Sequence, residues 1–167
     1  MSADQLGTIV GIGNYRRVEV TREVNAPVRQ VWNAITNPAE AKLWAGPCEI
    51  DSREGGRIRF DSTDCEGTGK GLDGTIKVFM PPHVFEYTWN DRFEEGGLVR
   101  YDLVEVNENK TRITLVNTLN STDYASAAAG WHEMLEKLEH SITTGEAAAD
   151  IEERGRELYT LYKTAIG

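Results

Sequence analysis

Polar and apolar residues alternate through most of this chain, and the alternation gives way to a helical period at two places. Val18, Val20 and Val24 hold even positions against Arg17, Glu19, Thr21 and Glu23. That two-residue period predicts a strand with one face in water. Asn25-Ala26-Pro27 then opens a helix, with proline in the first turn, where its missing N–H costs nothing. Val28, Val31, Trp32 and Ile35 fall at i, i+3, i+4 and i+7, a single apolar stripe. Asn37-Pro38 stops this helix and caps a second short one carrying Leu43 and Trp44.

The strand period returns at Cys48 and Ile50, set against Glu49 and Asp51. Glu54-Gly55-Gly56 turns the chain into Ile58 and Phe60, which alternate with Arg57, Arg59 and Asp61. Residues 67–71 read as a turn before a strand over 75–80, which Pro81-Pro82 ends. Phe85, Tyr87 and Trp89 form the aromatic side of the next strand; Val99, Tyr101 and Leu103 repeat the pattern. A hairpin loop over 107–110 leads to Ile113 and Leu115. Connections this short predict antiparallel neighbours.

The last third is helical. Trp131, Leu135, Leu138 and Ile142 give a stripe at i, i+4, i+7 and i+11, with Glu133, Glu136, Lys137 and Glu139 facing away. Thr143 and Glu146 have the form of a capping box and predict the start of another helix. Its apolar positions, Ile151, Leu158, Leu161 and Tyr162, are sparse, so loose packing is expected. The element order predicts an α+β domain: a curved antiparallel sheet around one long C-terminal helix, with two short helices after the first strand. Residues 1–14 are expected to form a loose arm, 15–142 the domain, and 143–167 an extra helical extension.

Size and charge narrow the function. A chain of 167 residues suits one domain. The net charge of -9, with Arg16-Arg17 the lone basic doublet, argues against nucleic acid and against anionic membranes. No stretch approaches the roughly 20 apolar residues of a spanning helix, and no signal-peptide pattern opens the chain. Cys48 and Cys65 lack zinc or disulfide spacing. The expectation is a cytoplasmic protein with reduced thiols, no metal and no cofactor. The triplets at Asn109 and Asn120 are then coincidental glycosylation patterns.

Several motifs read together resemble a known family. Ala26-Pro27, Val31-Trp32, Ala34-Ile35-Thr36-Asn37-Pro38 and Trp44 resemble the opening motif of the activator of heat-shock-chaperone ATPase homologue-like proteins, in the START-like (SRPBCC) superfamily. Gly55-Gly56 before Arg57-Ile58-Arg59-Phe60 is similar to that family's turn and strand. So are the strand led by Pro81-Pro82 and ending at Trp89, the strand Thr111-Arg112-Ile113-Thr114-Leu115, and the helix opening at Gly130-Trp131. The resemblance spans roughly residues 15–142. It implies the helix-grip fold, with a cavity between sheet and long helix where START-like relatives hold lipids, sterols, polyketides or plant metabolites. Some relatives are cyclase-type enzymes. The eukaryotic namesakes stimulate a chaperone but carry a further N-terminal domain for which these 167 residues leave no room, so a chaperone partner is disfavoured.

Trp44, Phe60, Tyr87, Trp89, Tyr101 and Trp131 all fall on expected inward positions. Such rings either fill a core or line a cavity, and the pattern alone leaves both open. Together with Asn117 and Leu135 they form the candidate site for a small apolar molecule. Tyr101 and Asn117, if buried, need hydrogen-bond partners from protein, water or ligand. Family members often carry His at the position of Asn117; Asn cannot shuttle protons near neutral pH. A cyclase- or hydrolase-type enzyme and a protein-interaction module, dimeric through the tail, are the alternatives.

Other chemistry reads weakly. His132, Glu136 and His140 share a helix face at metal-compatible spacing, but that face is expected to be solvated surface. His83 is expected in an exposed turn. Gly67-Thr68-Gly69-Lys70-Gly71 lacks the phosphate-loop spacing. Asp64, Glu66, Glu94 and Glu95 sit in loops without the burial that raises an acid's pKa.

Overall fold

The computed structural model describes residues 6–12, 15–61, 72–90, 96–119, 124–149 and 152–166. Residues 67–71, Asp64, Cys65, Glu66, Glu94, Glu95, Asn120 and Ile151 lie outside them. The alternating stretches all become strands. β1 (Thr8–Ile12) and β2 (Tyr15–Val24) precede the helices α1 (Val28–Thr36) and α2 (Pro38–Ala45). Then come β3 (Cys48–Ile50), β4 (Arg57–Phe60), β5 (Leu72–Met80), β6 (Val84–Trp89), β7 (Gly97–Asn107) and β8 (Lys110–Leu119), followed by α3 (Tyr124–Thr144) and α4 (Glu152–Ile166). The strands form one antiparallel sheet in the order β1-β2-β8-β7-β6-β5-β4-β3. The α+β architecture expected from the sequence is the one found.

The helix pair forms as its punctuation predicts. Val28, Val31 and Ile35 bury the α1 stripe, and the Asn37 side chain accepts the Ala39 N–H at 3.0 Å to cap α2. The Trp44 indole donates to the Ala34 carbonyl at 2.9 Å, locking α2 onto α1.

Along α3, Trp131, Leu135 and Leu138 are buried over the sheet. The helix begins well before Trp131, and Ala125, Ala128 and Ala129 are buried too. Such small side chains let a helix lie close to its neighbours. Arg22, on an inward row of β2, reaches Glu139 of α3 with two hydrogen bonds of 3.2 and 3.3 Å.

Two expectations about the chain ends need correction. The arm over residues 1–14 is not loose throughout: Thr8–Ile12 pairs with β2 from Thr8↔Glu19 to Ile12↔Tyr15. Thr143 does not start a helix; its hydroxyl donates to the Glu139 carbonyl at 2.9 Å within the last turn of α3. The chain leaves α3 at Gly145, whose φ of 74° suits glycine and whose N–H donates to the Ser141 carbonyl at 2.9 Å.

The last helix also departs from expectation. Leu158 and Tyr162 of α4 are fully buried and α4 packs on α3, so this extension is packed rather than loose. It covers the face of α3 that was expected to be solvated. His132 is only 3% exposed there, and its Nδ1 shares a 2.9 Å hydrogen bond with the Tyr162 hydroxyl. That hydroxyl also accepts the Gly7 N–H at 2.8 Å. His132 Nε2 lies 3.4 Å from Glu136, which Arg154 of α4 reaches from Nε at 3.1 Å.

Candidate ligand site on the concave face

Strand register decides which candidate residues meet. Ile76, Tyr87, Val99, Asn117 and Val18 stand opposite one another across β5, β6, β7, β8 and β2. Phe85, Tyr101, Leu115 and Val20 form the adjacent inward row. Because inward residues recur every second position, Tyr87 and Tyr101 become diagonal neighbours on one face. Their hydroxyls lie 3.5 Å apart, and each residue is 1% exposed.

Aromatic rings surround this pair. Phe85 lies 5.2 Å from the Tyr87 ring and 6.1 Å from the Tyr101 ring, centre to centre. Phe60 approaches Tyr87 at 6.3 Å from β4. Phe85 belongs to the aromatic side of its strand but lies outside the candidate set read from the sequence; its place in the row between β5 and β7 makes it the link.

A second group lies nearer the end of β6. The Trp89 and Trp131 rings meet edge to face at 5.0 Å. Trp131 Nε1 donates to Asn117 Oδ1 at 3.0 Å, and the Asn117 amide donates to the Leu98 carbonyl at 3.0 Å. Leu135 is buried one turn along α3. Trp44 is buried in the helix pair, with its N–H already used by Ala34.

Cover over the inward face is uneven. Tyr87, Tyr101, Asn117, Trp131 and Leu135 are buried, whereas Phe60, Trp89 and Cys48 are half-buried. The titratable groups in this region favour their protonated forms. Burial pushes the Tyr87 and Tyr101 hydroxyls upward, Tyr87 further under the influence of Tyr101. Burial, then the nearby Asp61 carboxylate, raises the Cys48 thiol. These groups can donate a hydrogen bond at neutral pH; they are poor bases and poor nucleophiles. His83 is exposed in the turn before β6, with Nδ1 3.0 Å from the Leu103 carbonyl.

The family model for the Activator of Hsp90 ATPase homolog 1-like protein matches residues 25–143. The chain belongs to that family. The match runs from the entry to α1 to the last turn of α3, and so contains every candidate residue. CalU16 from Micromonospora echinospora is similar in structure, with a TM-score of 0.77 and 20% identity over 99% of each chain. EF2215 from Enterococcus faecalis has a TM-score of 0.79 and 19% identity, covering 96% of this chain and 90% of that one. The Aha1 dimer from Colwellia psychrerythraea gives 0.67 and 16%, covering 78% of this chain and 98% of its own. These likenesses show the helix-grip fold. No curated protein matches the sequence. Among the described residues, no helix is long and apolar enough to cross a membrane.

Proposed function

We propose that this protein binds a small apolar molecule on the concave side of its sheet, between β4, β6 and α3. The observation that carries this reading is the half-covered state of Phe60 and Trp89. Both rings project inward, beside the buried Tyr87 and Trp131, yet the helices leave them partly open. Apolar surface that faces inward and still reaches solvent is what a ligand of this class covers; each such ring brings on the order of 150–250 Å² to the contact. Phe60, Tyr87, Trp89, Tyr101 and Trp131 form the contact surface in this reading. Asn117 and Leu135 act behind Trp131, and Trp44 supports the helix pair. Binding is favoured over covalent catalysis because Tyr87, Tyr101 and Cys48 all hold their protons more tightly than usual. A cytoplasmic location belongs to the same proposal.

Native mass spectrometry of the purified protein, before and after denaturation, tests the reading. A small molecule released at near-stoichiometric amount supports it. An unliganded mass together with no binding of neutral apolar dyes contradicts it.

A second reading, assembly through the outer face of the sheet, rests on Met80 and Val104. They are 59% and 50% exposed on the outward side of β5 and β7, and large apolar side chains in such positions mark contact surfaces when they cluster. Sedimentation velocity over a concentration series checks it: a monomer at all concentrations rules out self-assembly.

A further inference from the structure

The sheet ends on two strands of different character. At one edge β3 is three residues long, carries the exposed Glu49 in its middle and packs against α2. Edge strands are commonly shielded in such ways, because unpaired N–H and C=O groups invite another strand. At the other edge β1 reads Thr8-Ile9-Val10-Gly11-Ile12, with no charge and no proline. Just before it, the Gly7 N–H leaves the sheet for the Tyr162 hydroxyl at 2.8 Å. The N–H and C=O groups of successive residues in a strand point to opposite edges. Those of Ile9 and Gly11 therefore point the same way as those of Gly7, away from β2. β1 is the last strand in the sheet order, so no further strand meets them there. Val10 stands opposite Arg17 on the outer face and is 42% exposed.

We infer that two copies of this chain associate edge to edge through β1, antiparallel about a two-fold axis at Val10, so that their sheets run on as one. This is independent of the ligand reading and uses a different surface from the outer face. The register follows from the edge groups. Gly7 is engaged by Tyr162, which leaves Ile9 and Gly11 of each copy. Setting Ile9 opposite Gly11 of the second copy lets each such pair exchange both hydrogen bonds of an antiparallel ladder. Val10 then faces Val10 of the second copy in a non-hydrogen-bonded pair, where side chains come closest, and each covers the other's exposed surface. Charge does not oppose the contact: Arg17 and Glu19, the charged residues beside Val10 and Thr8 on that face, already pair with each other at 3.2 Å. A second copy fits better than an unrelated strand, because antiparallel pairing of identical strands closes on itself. The outer edges of the joined sheet are then the two shielded β3 strands. β1 lies outside residues 25–143, which carry the family match.

A single strand pair is smaller than a standard interface, so the association is measured by sedimentation velocity of the full chain over a series reaching the millimolar range. The inference expects a monomer–dimer equilibrium. Gly11→Pro removes an N–H from the free edge of each copy and none from the β1–β2 ladder; it should weaken the dimer at least about tenfold. Val10→Cys gives a test that does not depend on how well the proline variant folds. The Cα atoms of a non-hydrogen-bonded pair lie about 4.5 Å apart, within reach of a disulfide. Mild oxidation should therefore link this variant into a dimer, with peptide mapping placing the bond between the two copies of position 10. The natural chain, which has Cys48 and Cys65, is the control and should stay unlinked. A natural chain that remains monomeric throughout the series overturns the inference. So does oxidation that joins other cysteines and leaves position 10 free. A dimer abolished by Met80→Lys/Val104→Lys but not by Gly11→Pro also overturns it and moves the association to the outer face.

Discussion

Trp131 on α3 and Asn117 on β8 satisfy each other: the indole N–H donates to the side-chain oxygen of Asn117 across 3.0 Å. The Asn117 amide then reaches the Leu98 carbonyl of β7 at 3.0 Å, so one buried side chain ties the long helix to two strands. The sequence left partner and ligand open for Asn117; the protein supplies the partner. Replacing Asn117 with Leu keeps the volume but leaves the buried indole N–H without an acceptor. The expected loss is about 1–3 kcal/mol, read from urea denaturation. Trp131→Ala removes the ring as well and should cost about 3–5 kcal/mol. A loss below about 1 kcal/mol would contradict the placement of α3.

Tyr162 gathers three distant parts of the chain. Its hydroxyl joins Gly7 before β1 and His132 on α3. Tyr162→Phe keeps the packing and removes both bonds, with an expected cost of about 1–3 kcal/mol. Hydrogen exchange at the Gly7 amide should accelerate more than exchange in β7 or β8. Leu158→Ala, at a fully buried position, is expected to cost about 2–5 kcal/mol. Little change in either variant would mean that α4 is not held as described.

The two buried tyrosines set a limit on stability at high pH. An unfolded tyrosine titrates near pH 10, while burial raises both hydroxyls in the fold. Above about pH 10 the unfolded chain therefore binds fewer protons than the native one, and stability falls as pH rises. Each tyrosine adds a slope approaching about 1.4 kcal/mol per pH unit. Below about pH 9 neither contributes. Denaturation midpoints between pH 8 and 11.5 should therefore fall less steeply in Tyr87→Phe/Tyr101→Phe than in the natural protein. Parallel curves would show that these phenols are hydrated.

Much of this was legible from period alone. Alternation located the inward valines of β2 and the aromatic side of β6, because each strand has one wet face. The stripe from Trp131 to Leu138 located α3. Most of the misses share a cause, contacts distant in sequence. The pairing of β1 with β2 is local, and the glycine-rich surroundings obscured it. Leu158 and Tyr162 looked sparse on their own helix, and nothing local said that α3 would offer a second face. His132 looked like surface for the same reason. Pairing of Asn117 with Trp131, and of Tyr87 with Tyr101, depends on register and on helix placement, which periodicity does not give.

The central claim is that an apolar molecule enters beside Trp89 and Trp131. The chain has four tryptophans, and each gives one indole N–H signal in a two-dimensional nitrogen–proton NMR spectrum, assigned by single Trp→Phe variants. Trp32 packs against Phe79 and Phe85 at the other end of the aromatic row, and Trp44 is tied to Ala34, so both serve as internal controls. On titration with the neutral probe N-phenyl-1-naphthylamine, the signals of Trp89 and Trp131 should shift together and saturate, with Trp32 and Trp44 moving least. Saturating shifts confined to Trp32, or four signals unmoved across the titration, would contradict the account.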